Sequence, residues 1–174
     1  MSGLDDELPA LRQMVDDLAA RLRAVEDERA IIRTFEDYAH AIDYGNDEAW
    51  LDCFTDDAVF DMRSRRADEL NRTLSGHRQL REFIEGYGRA PEHRHQHLLL
   101  APIITIDGQR AEARSYFLIV CEHEGEPVVR VFGRYRDELL RCEDGRWRLR
   151  RRVAESECWR DGVVQYVGAR SAES

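Results

Sequence analysis

The sequence contains no lysine. All 26 of its basic residues are arginine, which excludes Schiff-base chemistry, a pyridoxal enzyme and a Walker-type phosphate loop together. Cysteine is scarce and dispersed. Cys53, Cys121, Cys142 and Cys158 form no C-x-x-C pair, a usage expected of free thiols in a reducing cytosol, so a cytoplasmic location is expected. No apolar run reaches the length of a membrane span, and the opening MSGLDDEL has none of the features of a signal peptide. Positive charge is in deficit: the formal net charge is −9, so neither nucleic acid nor a membrane is an expected partner. There is no G-x-S-x-G elbow or Cys/His nucleophile, and Gly86-Tyr87-Gly88 lacks the context of a nucleotide loop.

What is present suits one domain with a real core, since 43% of the 174 residues are apolar. Near the start, Leu4, Leu8, Leu11, Val15, Leu18, Leu22 and Val25 alternate steps of four and three. That is a heptad seam, readable either as an amphipathic helix lying on its own domain or as an oligomer contact. The seam fails at Arg29, and the apolar set shifts to Ile31, Ile32 and Phe35, predicting a bend or a change of partner near Glu26–Arg29. The expected division is an N-terminal helix over residues 1–25, a domain over 26–165 and a disordered tail over 166–174.

The organising stretch is FEDYAHAIDYGNDEAWLDCFTDDAVFD, residues 35–61. Ile31, Phe35, Tyr38, Ala39 and Ile42 share one helical face, and Gly45 with Asn46 or Asp47 stops that helix and caps a second, short one. Asp43 thus sits at a helix end among large apolar groups. There it is either a cap facing water or a desolvated acid. A strand at 58–61, a polar surface loop over 63–74 and a helix carrying Leu80, Phe83, Ile84 and Tyr87 follow. The rest reads as four long strands, 93–107, 111–124, 128–141 and 146–164, separated by Gly-containing turns and forming an antiparallel meander. The order predicts an α+β fold, a curved antiparallel sheet wrapped around helices. Such a cone encloses an apolar small-molecule cavity.

The segments AIDYGNDEAWLDCFTDDAVFD, GHRQLREFI, QHLLLAPIITIDGQRAEARSYF and GRYRDELLRCEDGRWRLRRRV resemble the SnoaL-like branch of the NTF2-like superfamily, which includes proteins similar to scytalone dehydratase and to ring-hydroxylating dioxygenase β subunits. The resemblance covers roughly residues 24–160. It implies a catalytic dyad of Asp43 and His97, with Tyr38 five residues before the aspartate and Arg152 of the last strand also reaching the pocket. Met62 and Ser115 stand where scytalone dehydratase has a tyrosine and a second histidine, so that enzyme's substrate is not implied.

Asp43 paired with His97 could hold one imidazole tautomer and stabilise the imidazolium that forms, while a donor such as Tyr38 polarises a carbonyl. The bland alternative is a helix cap and a satisfied sheet histidine. His93, His95 and His97 alternate on one strand and could approach a metal, but His93 and His95 are expected at the exposed strand start, and neither metal nor cofactor is expected. Two functions fit. One is a cofactor-independent dehydratase, isomerase or cyclase acting on a small apolar or aromatic carbonyl-bearing ligand. The other is a non-catalytic partner subunit. A homo-oligomer, dimer or trimer, is expected through the convex sheet face and the N-terminal helix.

Overall fold

Helix α1, Gly3–Tyr44, runs for 42 residues without interruption through Glu26–Arg29. The computed structural model describes residues 3–65, 71–88 and 93–159, so the expected tail lies outside the described residues. What changes near Arg29 is the buried face: Ile31, Phe35, Tyr38, Ala41 and Ile42 enter the core, whereas Leu8 to Val25 stay exposed. The docked half is anchored by Asp27, which accepts from Trp147 Nε1 at 3.1 Å and pairs with Arg141. Thr34 Oγ1 donates to the Trp147 carbonyl at 2.7 Å. The helix stops as its sequence dictates. Gly45 takes φ +71°, a conformation that costs glycine little, and Asn46 N–H returns to the Ala41 carbonyl at 2.8 Å. The Asn46 side chain then accepts from Ala49 N and starts α2, Asp47–Leu51.

The chain continues through β1 (Phe54–Ser64), β2 (Arg72–Ser75), α3 (Gly76–Glu85), β3 (His95–Asp107), β4 (Arg110–His123), β5 (Glu126–Arg141) and β6 (Trp147–Trp159). These six strands form one sheet in the order β2-β1-β6-β5-β4-β3. The expected meander is there, β3 to β6 pairing antiparallel in sequence. Two features depart from expectation. The polar stretch 63–74 is not all loop: it contains the end of β1 and the short strand β2, whose Leu74 alone is buried. The first strand is also longer than residues 58–61 and lies parallel to β6, a long-range pairing that no local pattern encodes.

The helices pack on one face of this curved sheet, making an α+β cone. Aromatic rings join the layers: Tyr38 of α1 meets Trp50 of α2, which meets Phe54 and Phe60 of β1 and Phe83 of α3. Phe117 stacks on Tyr135 with centroids 4.4 Å apart. Gly133 makes room for that stack, since a Cβ there would run into the Glu155 carbonyl and the Phe117 ring.

Among the register shifts of the sheet, those on β5, β6 and β3 near the core re-aim side chains. On β5, Val129 pairs with Val120 and Val131 with Ile119, leaving Arg130 as an extra residue. On β6, Arg150 is extra between Leu149 and Arg151. On β3, the register slips between Leu100 and Ile103, where Ala101 takes φ +50° and Pro102 follows. Bulges of this kind bend a strand and turn neighbouring residues to the other face.

Candidate active site

Asp43 sits in the last turn of α1, and the sheet brings β3 to it. Asp43 Oδ2 accepts from the backbone N–H of His97 at 2.8 Å, and Oδ1 lies 2.6 Å from His97 Nδ1. A carboxylate only accepts, so Nδ1 carries a proton, and in the neutral imidazole Nε2 is the nitrogen with the lone pair. The dyad is sheltered, His97 retaining 5% of its side-chain exposure and Asp43 15%. Nε2 faces Tyr87, whose hydroxyl is 3.3 Å away, and Arg130 Nη2 reaches that hydroxyl at 3.5 Å. Burial pushes the Tyr87 hydroxyl up to about 12 against the pull of Arg130, so it stays a proton donor at neutral pH.

His95 corrects the sequence reading, which placed it at an exposed strand start. Only 4% of its side chain is exposed, and Nε2 lies 3.6 Å from Asp43 Oδ1. Its ring meets Tyr87 and His97 edge to face. Alternation along β3 already puts residues 95 and 97 on one face; Tyr87, beyond the end of α3, then packs against both. Burial first, and then the neighbouring His97, push the His95 imidazole down to about 4. An unfolded histidine titrates at about 6.5, so between that value and about 4 the folded state binds fewer protons. Stability from His95 is therefore full above about pH 6.5 and lost as pH falls toward 4. His95→Gln should flatten this part of the stability–pH curve in chemical denaturation. Identical acid slopes for both proteins would refute the assignment.

Tyr38 and Arg152 lie together, in a different constellation. Arg152 is fully buried and forms two 2.8 Å hydrogen bonds with Asp137, from Nε and Nη2. Its guanidinium lies 4.3 Å from the Tyr38 ring centroid and 4.0 Å from that of Tyr135. Burial works against the Arg152 charge, but the charge and hydrogen bonds of Asp137 prevail and raise its pKa. Burial likewise raises Tyr38. Among the described residues, no hydrogen bond or ion pair joins Tyr38 or Arg152 to Asp43 or His97.

Sequence reasoning missed Tyr87 and Arg130. Tyr87 follows the C-cap Gly86 of α3, and α3's apolar spacing alone marks it as core. Arg130 is turned inward by the β5 bulge and carries no sequence signal. For a metal, Asp43, His95 and His97 offer ligand atoms within 4.8 Å of one another. Where His97 offered Nδ1 to such an ion, the ion would displace the proton that this nitrogen donates to Asp43. His93 is not part of that cluster.

The profile of the SnoaL-like domain family matches residues 23–153. No curated protein matches the chain. Among solved structures, a Novosphingobium aromaticivorans protein assigned as an aromatic ring hydroxylase is 32% identical, with 76% of this chain and 90% of that one covered and a TM-score of 0.62. A protein from the same organism assigned as a scytalone dehydratase superimposes with a TM-score of 0.65 at 20% identity, over 87% of this chain and 97% of that one. The β subunit assigned to an aromatic-ring-hydroxylating dioxygenase, again from N. aromaticivorans, gives 0.67 at 20% identity over 85% and 99%. Helices packed on a curved sheet of this order, together with the profile match across most of the domain, show that the chain belongs to the SnoaL-like domain family, within the NTF2-like fold.

Proposed function

We propose that the chain is a cofactor-independent acid/base enzyme of the dehydratase, isomerase or cyclase type, acting on a small apolar ring compound that carries a carbonyl. The observation that carries this reading is the doubly held dyad. With Asp43 bonded to both His97 N–H groups, only Nε2 is left to accept a proton, and it points at a protonated phenol. His97 Nε2 removes a proton from the carbon beside the carbonyl, and Asp43 stabilises the imidazolium. Tyr87, oriented by Arg130, donates to the carbonyl oxygen as negative charge develops there. In this reading Tyr87 takes the donor role for which the sequence alone offered Tyr38. Tyr38 and Arg152 are buried in the core and take a supporting role, with no part in the proton transfer. The ring of Phe83 packs directly on Tyr87, with centroids 5.6 Å apart, and helps to hold the phenol against His97.

Incubation with a panel of cyclic enones and hydroxyketones in D₂O tests this. Deuterium should enter at the carbon beside the carbonyl in one or more of them, as read by mass spectrometry. No exchange and no turnover across the panel, together with one equivalent of zinc or iron by elemental analysis, would replace the dyad with the metal cluster of Asp43, His95 and His97. A second reading, a non-catalytic partner subunit, is favoured by the likeness to the dioxygenase β subunit. Stable co-purification with an iron–sulfur α subunit, without activity of its own, would establish it.

A further inference from the structure

The amino-terminal half of α1 is an apolar stripe with no partner among the described residues. Leu8, Leu11, Val15, Leu18, Leu22 and Val25 are each more than half exposed. From residue 8 to 26, every residue but Ala19 is exposed, so this half of the helix leaves the cone instead of lying on it. Six large apolar side chains left in water along one stripe mark a surface built to be covered.

The stripe cannot turn to its own cone. At 3.6 residues per turn, the exposed seam is centred roughly 180° around the helix from the face made by Ile31, Phe35, Tyr38 and Ile42, which is the face buried in the core. Asp27, which binds Trp147 and Arg141 of the domain, also lies away from the seam. One continuous helix therefore presents one side to its domain and the opposite side, further out, to a different neighbour.

We infer that this neighbour is the same arm of a second copy, paired as a parallel two-stranded coiled coil. The stripe has the narrow width of an a/d seam, suited to one helix and too narrow to blanket a sheet. Leu8, Val15 and Leu22 take the a positions, and Leu11, Leu18 and Val25 the d positions. The flanking residues set the direction. In a parallel pair, each g residue meets the e residue five positions later on the other chain. Met14 then meets Ala19 of the partner subunit, apolar on apolar, and Arg21 meets Glu26 of the partner subunit, both contacts occurring twice by symmetry. An antiparallel pair would set Met14 against Arg21 of the partner subunit and Arg12 against Ala19 of the partner subunit, leaving Arg21 and Glu26 without opposite charges. Arg29 falls at the next a position and ends the seam where the domain begins. Because the buried faces point away from the seam, the two cones sit on the outer flanks, at the same end of the coil, without collision.

The test uses the full-length chain. Sedimentation equilibrium should give a dimer. Leu11→Asp with Leu18→Asp should give a monomer whose near-ultraviolet circular dichroism, set by the cone's aromatic residues, is unchanged. The charge pair reports direction: Arg21→Glu should raise the dimer Kd by about tenfold, and adding Glu26→Arg should restore it to within about threefold. Leu18→Cys should cross-link to itself under mild oxidation, as the peptide map would show, because d faces d only in a parallel pair. A monomeric wild type, a trimer, a dimer that survives the two aspartates, or a swap that fails to rescue would each overturn the proposal.

Discussion

Asp43→Asn should lower turnover by about 100- to 10,000-fold while leaving the fold intact, the range expected for loss of a positioned acid/base group. The reason is an inventory of donors. Asp43 accepts two N–H groups of His97, one from the backbone and one from the ring. An asparagine offers one oxygen and one NH₂. If the oxygen keeps the backbone N–H, the NH₂ faces the ring and forces the proton from Nδ1 to Nε2, the position that must accept. The base is then blocked by its own proton. His97→Ala should be equally damaging, and the double variant little worse than either, because residues acting as a unit lose their effect together. The checks are kcat on a responsive substrate, nitrogen-detected NMR of the imidazole tautomer, and a melting curve. Additive losses, or an unchanged tautomer with full activity, would refute the pairing.

Arg152→Met should destabilise the protein by about 3–5 kcal/mol, because it strands Asp137 as an unpaired charge in the core. For a chain of this size, that corresponds to a fall in Tm of roughly 6–20 °C. Asp137→Leu alone should cost a similar amount by orphaning the guanidinium, which is fully buried and sandwiched against Tyr38 and Tyr135. Changing both residues together should recover most of the loss, since two apolar side chains of similar volume often serve as well as a buried pair. A double-mutant cycle followed by thermal melting measures the coupling. If Arg152→Met instead abolished turnover at unchanged Tm, the arginine would belong to the reacting site and not to the support beneath it.

The two halves of the dyad were legible because each is announced by local chemistry. Gly45 and Asn46 end α1 just after Asp43, and alternation over a long apolar run puts His97 on the inner face of β3. The meander was legible for the same reason, its Gly turns lying between alternating runs. What escaped depends on register. Strict alternation from Leu149 would point Arg151 inward. The extra residue at Arg150 is what delivers Arg152 to the core, and a similar slip delivers Arg130 to Tyr87. Bulges cost one residue of pairing and have no residue code, so the sequence is silent about them. The burial of His95 escaped because exposure was inferred from its place at a strand's beginning, whereas cover comes from Tyr87, beyond α3. The parallel pairing of β1 with β6 joins opposite ends of the domain and has no local signature at all.

The slip on β3 has a consequence for how copies of this protein behave when crowded. β3 is the last strand of the sheet, and its outer side is where a stray strand from another molecule would add. Midway along it the backbone swings through Ala101 at φ +50°, and Pro102 contributes no N–H. An incoming strand thus finds its ladder broken at the centre, with a kink it cannot follow. Natural sheets use such interruptions to resist open-ended stacking into fibres. Growth by strand addition is discouraged at this rim, and encounters between molecules are left to surfaces that close on themselves.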